Sequence, residues 1–203
     1  MNKRNRDGHW KGTSQPGGGS PAGQNDERKD LDRVIRYAEN GNYQSAIALL
    51  RDTRHDPQLC NAMGVCLMRV GRVEEAVRIL RDLVLQPGCT WMIPNRPIVY
   101  KTNFATALLM SGRVSGCVEM LAEINREKHP SVIRLRMTIR RWERGLSFWQ
   151  RLNWRLSQID PANRPVELDF APGDFADPPA PQQEQGHALS CCPLAADPHP
   201  VRV

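Results

Sequence analysis

The chain has 203 residues, 40% of them hydrophobic and 25% charged, which is room for one ordinary domain plus tails or two very small domains. Twenty-eight Lys/Arg against 22 Asp/Glu give +6; the hydrophobic share is enough to build a core and excludes a wholly disordered chain, while 16 Pro and 15 Gly point to unfolded segments. No window approaches about 18 apolar residues, and the first 30 residues offer only Met1, Trp10 and Ala22 as apolar side chains, so neither a transmembrane helix nor a secretory leader is expected.

In chain order, residues 1–28 lack hydrophobic periodicity, contain Gly17-Gly18-Gly19 and read as a disordered basic leader. Helical patterns then come in pairs around a turn glycine. DLDRVIRYAEN and NYQSAIALLRD flank Gly41, PQLCNAMGVCLMRV and RVEEAVRILRDLV flank Gly71, and RPIVYKTNFATALLMS and RVSGCVEMLAEI flank Gly112. Apolar residues recur at spacings of three and four, as in Val73, Val77, Leu80 and Val84, and glycine ends a helix in the left-handed conformation without a Cβ clash. No stretch alternates with period two long enough to be a strand, so the fold class is all-α.

The residues 127–160 predict a closing helical pair or a degenerate fourth repeat. Val132, Leu135, Ile139, Trp142, Leu146, Trp149, Leu152 and Leu156 would also suit one continuous helix, but Ser147-x-x-Gln150 has capping-box form and favours a break at Gly145. On that seam the tryptophans are expected in the core, with Trp154 the loosest. The insertion Gly88–Arg96, carrying Trp91, Met92 and Ile93, reads as tucked under the body rather than exposed. From Pro161 onward nine of the 16 prolines accumulate, predicting a disordered acidic tail over 161–203.

The second pair carries Cys60-x-x-Met63-Gly64-x-x-Leu67, then Gly71, Ala76, Leu80 and Pro87. This resembles the tetratricopeptide repeat, with its Trp-x-x-Leu-Gly-x-x-Tyr, Ala-x-x-x-Phe and closing Pro. The first pair shares Tyr37, Gly41, Ala46, Leu50 and Pro57, but has Asp30, Arg33 and Val34 at the Trp, Leu and Gly places. The third offers Phe104, Ala105, Leu108, Gly112, Cys117 and Leu121, with Lys101 for Trp. Turn glycines lie 30, 41 and 33 residues apart, against a family period of about 34. The resemblance implies a right-handed α-solenoid of three repeats (29–56, 57–97, 98–126).

It also implies a groove, lined by the first helix of each pair, that captures peptide segments. Opposite the small residues stand Asn61, Val65, Met68 and Arg69, then Thr102, Thr106, Leu109 and Met110, with Leu31 and Ile35 before them. Some members of the family hold a C-terminal carboxylate with Lys, Asn and Arg. Here Leu31 and Ile35 fill the first Lys and Asn places and Val99 and Asn103 the later Lys and Arg places, so that clamp is absent. The groove reads as apolar with a few basic groups.

Charge partitions unevenly: +2 in residues 1–30, +9 in 31–159 and −5 in 160–203. Arg136, Arg140, Arg144, Arg151 and Arg155, interleaved with Trp142, Trp149 and Trp154, form a possible anion patch for nucleic acid or an anionic membrane. The acidic tail (Glu167, Asp169, Asp174, Asp177) is a candidate to fold back on Arg134, Arg136, Arg140, Arg141, Arg144, Arg151 and Arg155. No nucleophile, phosphate loop or metal-ligand spacing involves His9, His55, His129, His187 or His199, and a set of His187, Cys191, Cys192 and His199 matches no zinc pattern. The six cysteines fit free thiols in a reducing compartment. The expectation is a cytoplasmic, non-enzymatic adaptor without cofactor or metal, binding another protein. The alternatives are an anion-surface binder on the arginine helices and a self-associating subunit.

Overall fold

The computed structural model describes residues 21–51, 56–124, 128–161 and 164–177. Among these, the regular structure is eight α-helices and one isolated antiparallel bridge between Leu85 and Met92. The helices are α1 (Pro21–Glu39), α2 (Tyr43–Leu50), α3 (Pro57–Arg69), α4 (Val73–Val84), α5 (Ile98–Met110), α6 (Val114–Glu123), α7 (Pro130–Arg144) and α8 (Phe148–Ser157). The all-α class is therefore met. No helix among the described residues is long and apolar enough to cross a membrane.

Three turns repeat the same hydrogen bonds. Gly41, Gly71 and Gly112 have φ of 70°, 82° and 77°. After each, the next residue donates to the carbonyl five positions back: Asn42 N–H to Tyr37, Arg72 to Leu67 and Arg113 to Leu108, at 2.8–2.9 Å. The glycine itself donates to Ala38, Met68 or Leu109. Two orphan carbonyls of each helix end are thereby satisfied, in a left-handed backbone where a Cβ is strained. Starts are fixed as well: Asn42 and Asp56 side chains accept the N–H groups of Ser45 and Gln58, and Pro57 opens α3 where no donor is needed.

Each helix from α1 to α5 packs on the next, and α1, α3, α5 and α7 touch in a row. Small residues set the spacing. A Cβ on Gly64 would lie 2.6 Å from Leu80 Cγ, and Ala46, Ala76, Ala105 and Cys117 are wholly buried. Leu59, Leu67, Leu80, Leu135, Val34, Val84, Val114 and Val132 fill the gaps between them. One continuous core results.

The fourth pair differs from the other three. Gly145 has φ −77°, so no left-handed turn forms; the chain breaks instead because Ser147 and Gln150 form the expected capping box at the start of α8. That cap resets the register, and the seam expected from the sequence inverts beyond Leu146. Trp154 is only 4% exposed, its Nε1 donating to Glu143 at 2.9 Å and its ring edge-on to Trp142 at 5.3 Å. Trp149 is 75% exposed instead. The insertion is divided in the same way. Ile93 N–H donates to Val84 and Gln86 N–H to the Trp91 carbonyl, packing Met92 on the core, while the Trp91 side chain stands 70% exposed.

Candidate functional site

The row of α3, α5 and α7 carries an extended strap, residues 164–177, where the sequence predicts a disordered tail with acids able to fold back on the arginine helices. The strap runs antiparallel to α3 and α7: its start, the Arg164 carbonyl, accepts Trp142 Nε1 at the end of α7, and its finish reaches the start of α5. Chain rich in proline and short of backbone donors makes no helix, yet it still packs where side chains of the body supply the hydrogen bonds.

The centre of the contact is Asp174. Asn103 Oδ1 accepts its N–H at 2.9 Å and Asn103 Nδ2 donates to its carbonyl at 2.7 Å, so one amide closes both main-chain groups of one residue. A second amide proton of Asn103 reaches Asn61 Oδ1 at 2.8 Å, and Asn61 Nδ2 donates to the Asp174 and Phe175 carbonyls at 3.3 and 3.4 Å. Both asparagines are buried in otherwise apolar helices, where an unpaired amide would cost about 1–3 kcal/mol. The Asp174 carboxylate accepts from Ser131 Oγ (2.8 Å) and pairs with Arg134 (2.6 Å).

On either side the body reads backbone and aromatic rings. Arg69 donates to the Pro172 and Gly173 carbonyls at 3.2 and 3.0 Å, with its guanidinium 5.0 Å over the Phe175 ring and 5.6 Å over Tyr43. Arg134 lies 4.5 Å over Phe170. Gly173, at φ 77°, sits so close that a Cβ would meet Met68 Cε at 2.7 Å and a Val65 methyl at 2.9 Å. The Asp177 carboxylate accepts the Val99 N–H at 2.9 Å, an orphan donor in the first turn of α5, and lies 3.6 Å from His129 Nε2. Arg141 bonds Asp169 at 2.7 Å, which holds that carboxyl below its usual range and raises the guanidinium.

Of the groove residues read from the sequence, Asn61, Val65, Met68 and Arg69 meet at this strap. The others do not. Thr102 and Thr106 hydroxyls donate back to carbonyls of their own helix, and Leu109 is fully buried in the core. Met110 is partly buried against that core. The arginine patch also separates. Arg140 and Arg144 are exposed on α7, and Arg136 is partly buried. Arg151 donates to the Glu143, Arg144 and Leu146 carbonyls, which ties α8 to the end of α7, and Arg155 stands 4.0 Å from Glu143. Within the arginine set expected to receive the acidic tail, the Asp174 carboxylate pairs with Arg134 and that of Asp169 with Arg141.

Val99 and Asn103 stand at the clamp places marked in the sequence, whereas Ser131 and Arg134 lie outside the groove that the sequence delineates. A detectable signal existed for Asn103: a lone amide inside the apolar run of α5 needs partners from somewhere. No group of three His, Cys, Asp or Glu among the described residues is placed to hold a metal. Cys60, Cys66, Cys89 and Cys117 form no disulfide; His9, His55, His187, His199, Cys191 and Cys192 lie outside the described residues. Comparison with protein-family models, with curated proteins and with solved structures finds no match.

Proposed function

We propose that this chain is a non-enzymatic adaptor, a tetratricopeptide-like solenoid whose row of first helices captures an extended protein segment. In that reading the strap 164–177 is the resident occupant, and a partner segment of similar chemistry replaces it. The observation that supports the reading is the paired contact of Asn103 with the N–H and carbonyl of Asp174, backed by Asn61 and Arg69 on neighbouring carbonyls. Main-chain capture of this kind accepts many sequences. Selectivity then comes from Gly at the tight point, an acid for Ser131 and Arg134, and an aromatic over Arg69. The three like turns and the small residues between paired helices support the solenoid. Free thiols at Cys66 and Cys117 suit a reducing compartment such as the cytoplasm.

A tethered occupant competes at an effective concentration in the millimolar range, so the strap must be unseated before an external segment is measured. The full-length Gly173→Val chain does this, since a branched side chain fits neither the φ nor the space. A fluorescent peptide of residues 164–177 is expected to bind Gly173→Val at least tenfold more tightly than wild type, and adding Asn103→Ala is expected to remove the binding. A folded Gly173→Val chain, checked by circular dichroism, that ignores the peptide would sink the proposal.

A further inference from the structure

Away from the strap, α8 presents an apolar ridge. Phe148, Trp149 and Leu156 are 71%, 75% and 77% exposed, and Leu152 and Ile159 are exposed beside them. Trp149, Leu152 and Leu156 recur at helical spacing, Ile159 follows just past the left-handed cap at Gln158, and Phe148 stacks edge-on to Trp149 at 5.4 Å. Exposures this high describe side chains that stand out from the body, not the lining of a groove. From Arg144 to Ile159 the sequence holds Arg144, Arg151 and Arg155 and no acid. The two flanking acids are turned to the fold. Glu143 accepts Trp154 Nε1, and Asp160 accepts both the N–H and the hydroxyl of Ser115 at the start of α6.

We propose that this ridge docks the protein on an anionic lipid surface, with α8 lying in the plane of the interface. An apolar stripe with Trp and Phe at one end, arginines beside it and its acids withdrawn has the composition of a helix that buries its face at the headgroup boundary. A nucleic acid would use the aromatic rings but gains nothing by stacking on Leu152, Leu156 and Ile159, which have no π-face. A second copy seated on the same ridge would bring the two sets of arginines together across a two-fold axis, an arrangement of like charges. The +9 net charge of residues 31–159 adds long-range attraction to an anionic surface.

The test is co-sedimentation of the full-length chain with phosphatidylcholine vesicles, with and without phosphatidylglycerol. Association with the phosphatidylglycerol vesicles alone is expected. Leu156→Glu should weaken it more than tenfold, and Arg155→Gln about fivefold, the contribution of one basic side chain near an anionic surface. Leu156 is so exposed that its substitution leaves the fold intact, which circular dichroism checks. Equal binding by wild type and Leu156→Glu overturns the proposal. So does absence of vesicle binding with a concentration-dependent mass that Leu156→Glu abolishes, which makes the ridge a self-association face. Tighter binding to a single-stranded oligonucleotide, weakened by Trp149→Glu but not by Leu156→Glu, overturns it in favour of nucleic acid.

Discussion

Gly64 is where a single atom decides the packing of two helices. Its missing Cβ leaves room for Leu80, whose Cγ and both Cδ atoms lie within 3 Å of where that carbon would be. Leu80 is wholly buried, so it cannot swing into solvent to make space. Gly64→Ala would gain helix propensity but must push α3 and α4 apart or force Leu80 off its rotamer. Overpacking of this kind costs about 1–3 kcal/mol, more than the propensity gain of up to about 1 kcal/mol. A lower urea midpoint at unchanged slope is the expected result. The same crowding acts on two thiols. Burial pushes Cys66 up to about 11 and Cys117 up to about 12. At pH 8 both are almost entirely protonated and shielded, whereas Cys89 is exposed. Maleimide labelling followed by peptide mapping should therefore mark Cys89 within minutes and leave Cys66 and Cys117 unmodified until the protein is unfolded.

At the scale of elements, the three paired helices were legible because turn glycines and small residues at fixed offsets carry steric information in the residue type itself. The break at Gly145 was legible from the Ser147 and Gln150 pair, and the capping box is present. Which side of α8 faces inward was not, because the apolar residues of α8 lie on more than one side. Only the hydrogen bond from Trp154 to Glu143 and the edge-on contact with Trp142 choose between them. Half of the candidate site was legible for a similar reason. Asn61, Val65, Met68 and Arg69 follow from which face of α3 is opposite Gly64, but a one-residue difference in α5 puts Asn103, not Thr102, beside Asp174. The cap on α8 has a local test. Ser147→Ala removes an acceptor worth about 1 kcal/mol, so hydrogen exchange in residues 150–157 should quicken about fivefold while α3 to α5 stay unchanged. Uniform quickening would show that α8 does not open on its own.

For the whole molecule, the division of charge becomes a spatial arrangement. Carboxylates at Asp169 and Asp174 of the acidic segment pair with Arg141 and Arg134 of the basic body, and Asp177 meets the first turn of α5. The strap is thus held by main-chain capture at its centre and by charge along its length, so its docking depends on pH. Asp169 shows the sign. Its carboxyl is held below the usual range by the Arg141 hydrogen bond, so it binds a proton more readily in the released strap than in the docked one. Its contribution to docking is therefore fully present above the ordinary carboxylate pKa and is lost as pH falls through the lowered value. Both partners are largely exposed, so the contribution is small and salt-sensitive. Hydrogen exchange in residues 166–177, corrected for intrinsic rates, should accelerate on acidification through that range before α3 to α6 lose protection. Asp169→Asn should flatten part of that response at neutral pH, where it mimics the protonated side chain. If residues 166–177 and the core helices lose protection together in both proteins, the strap is an integral layer of the fold and no replaceable occupant.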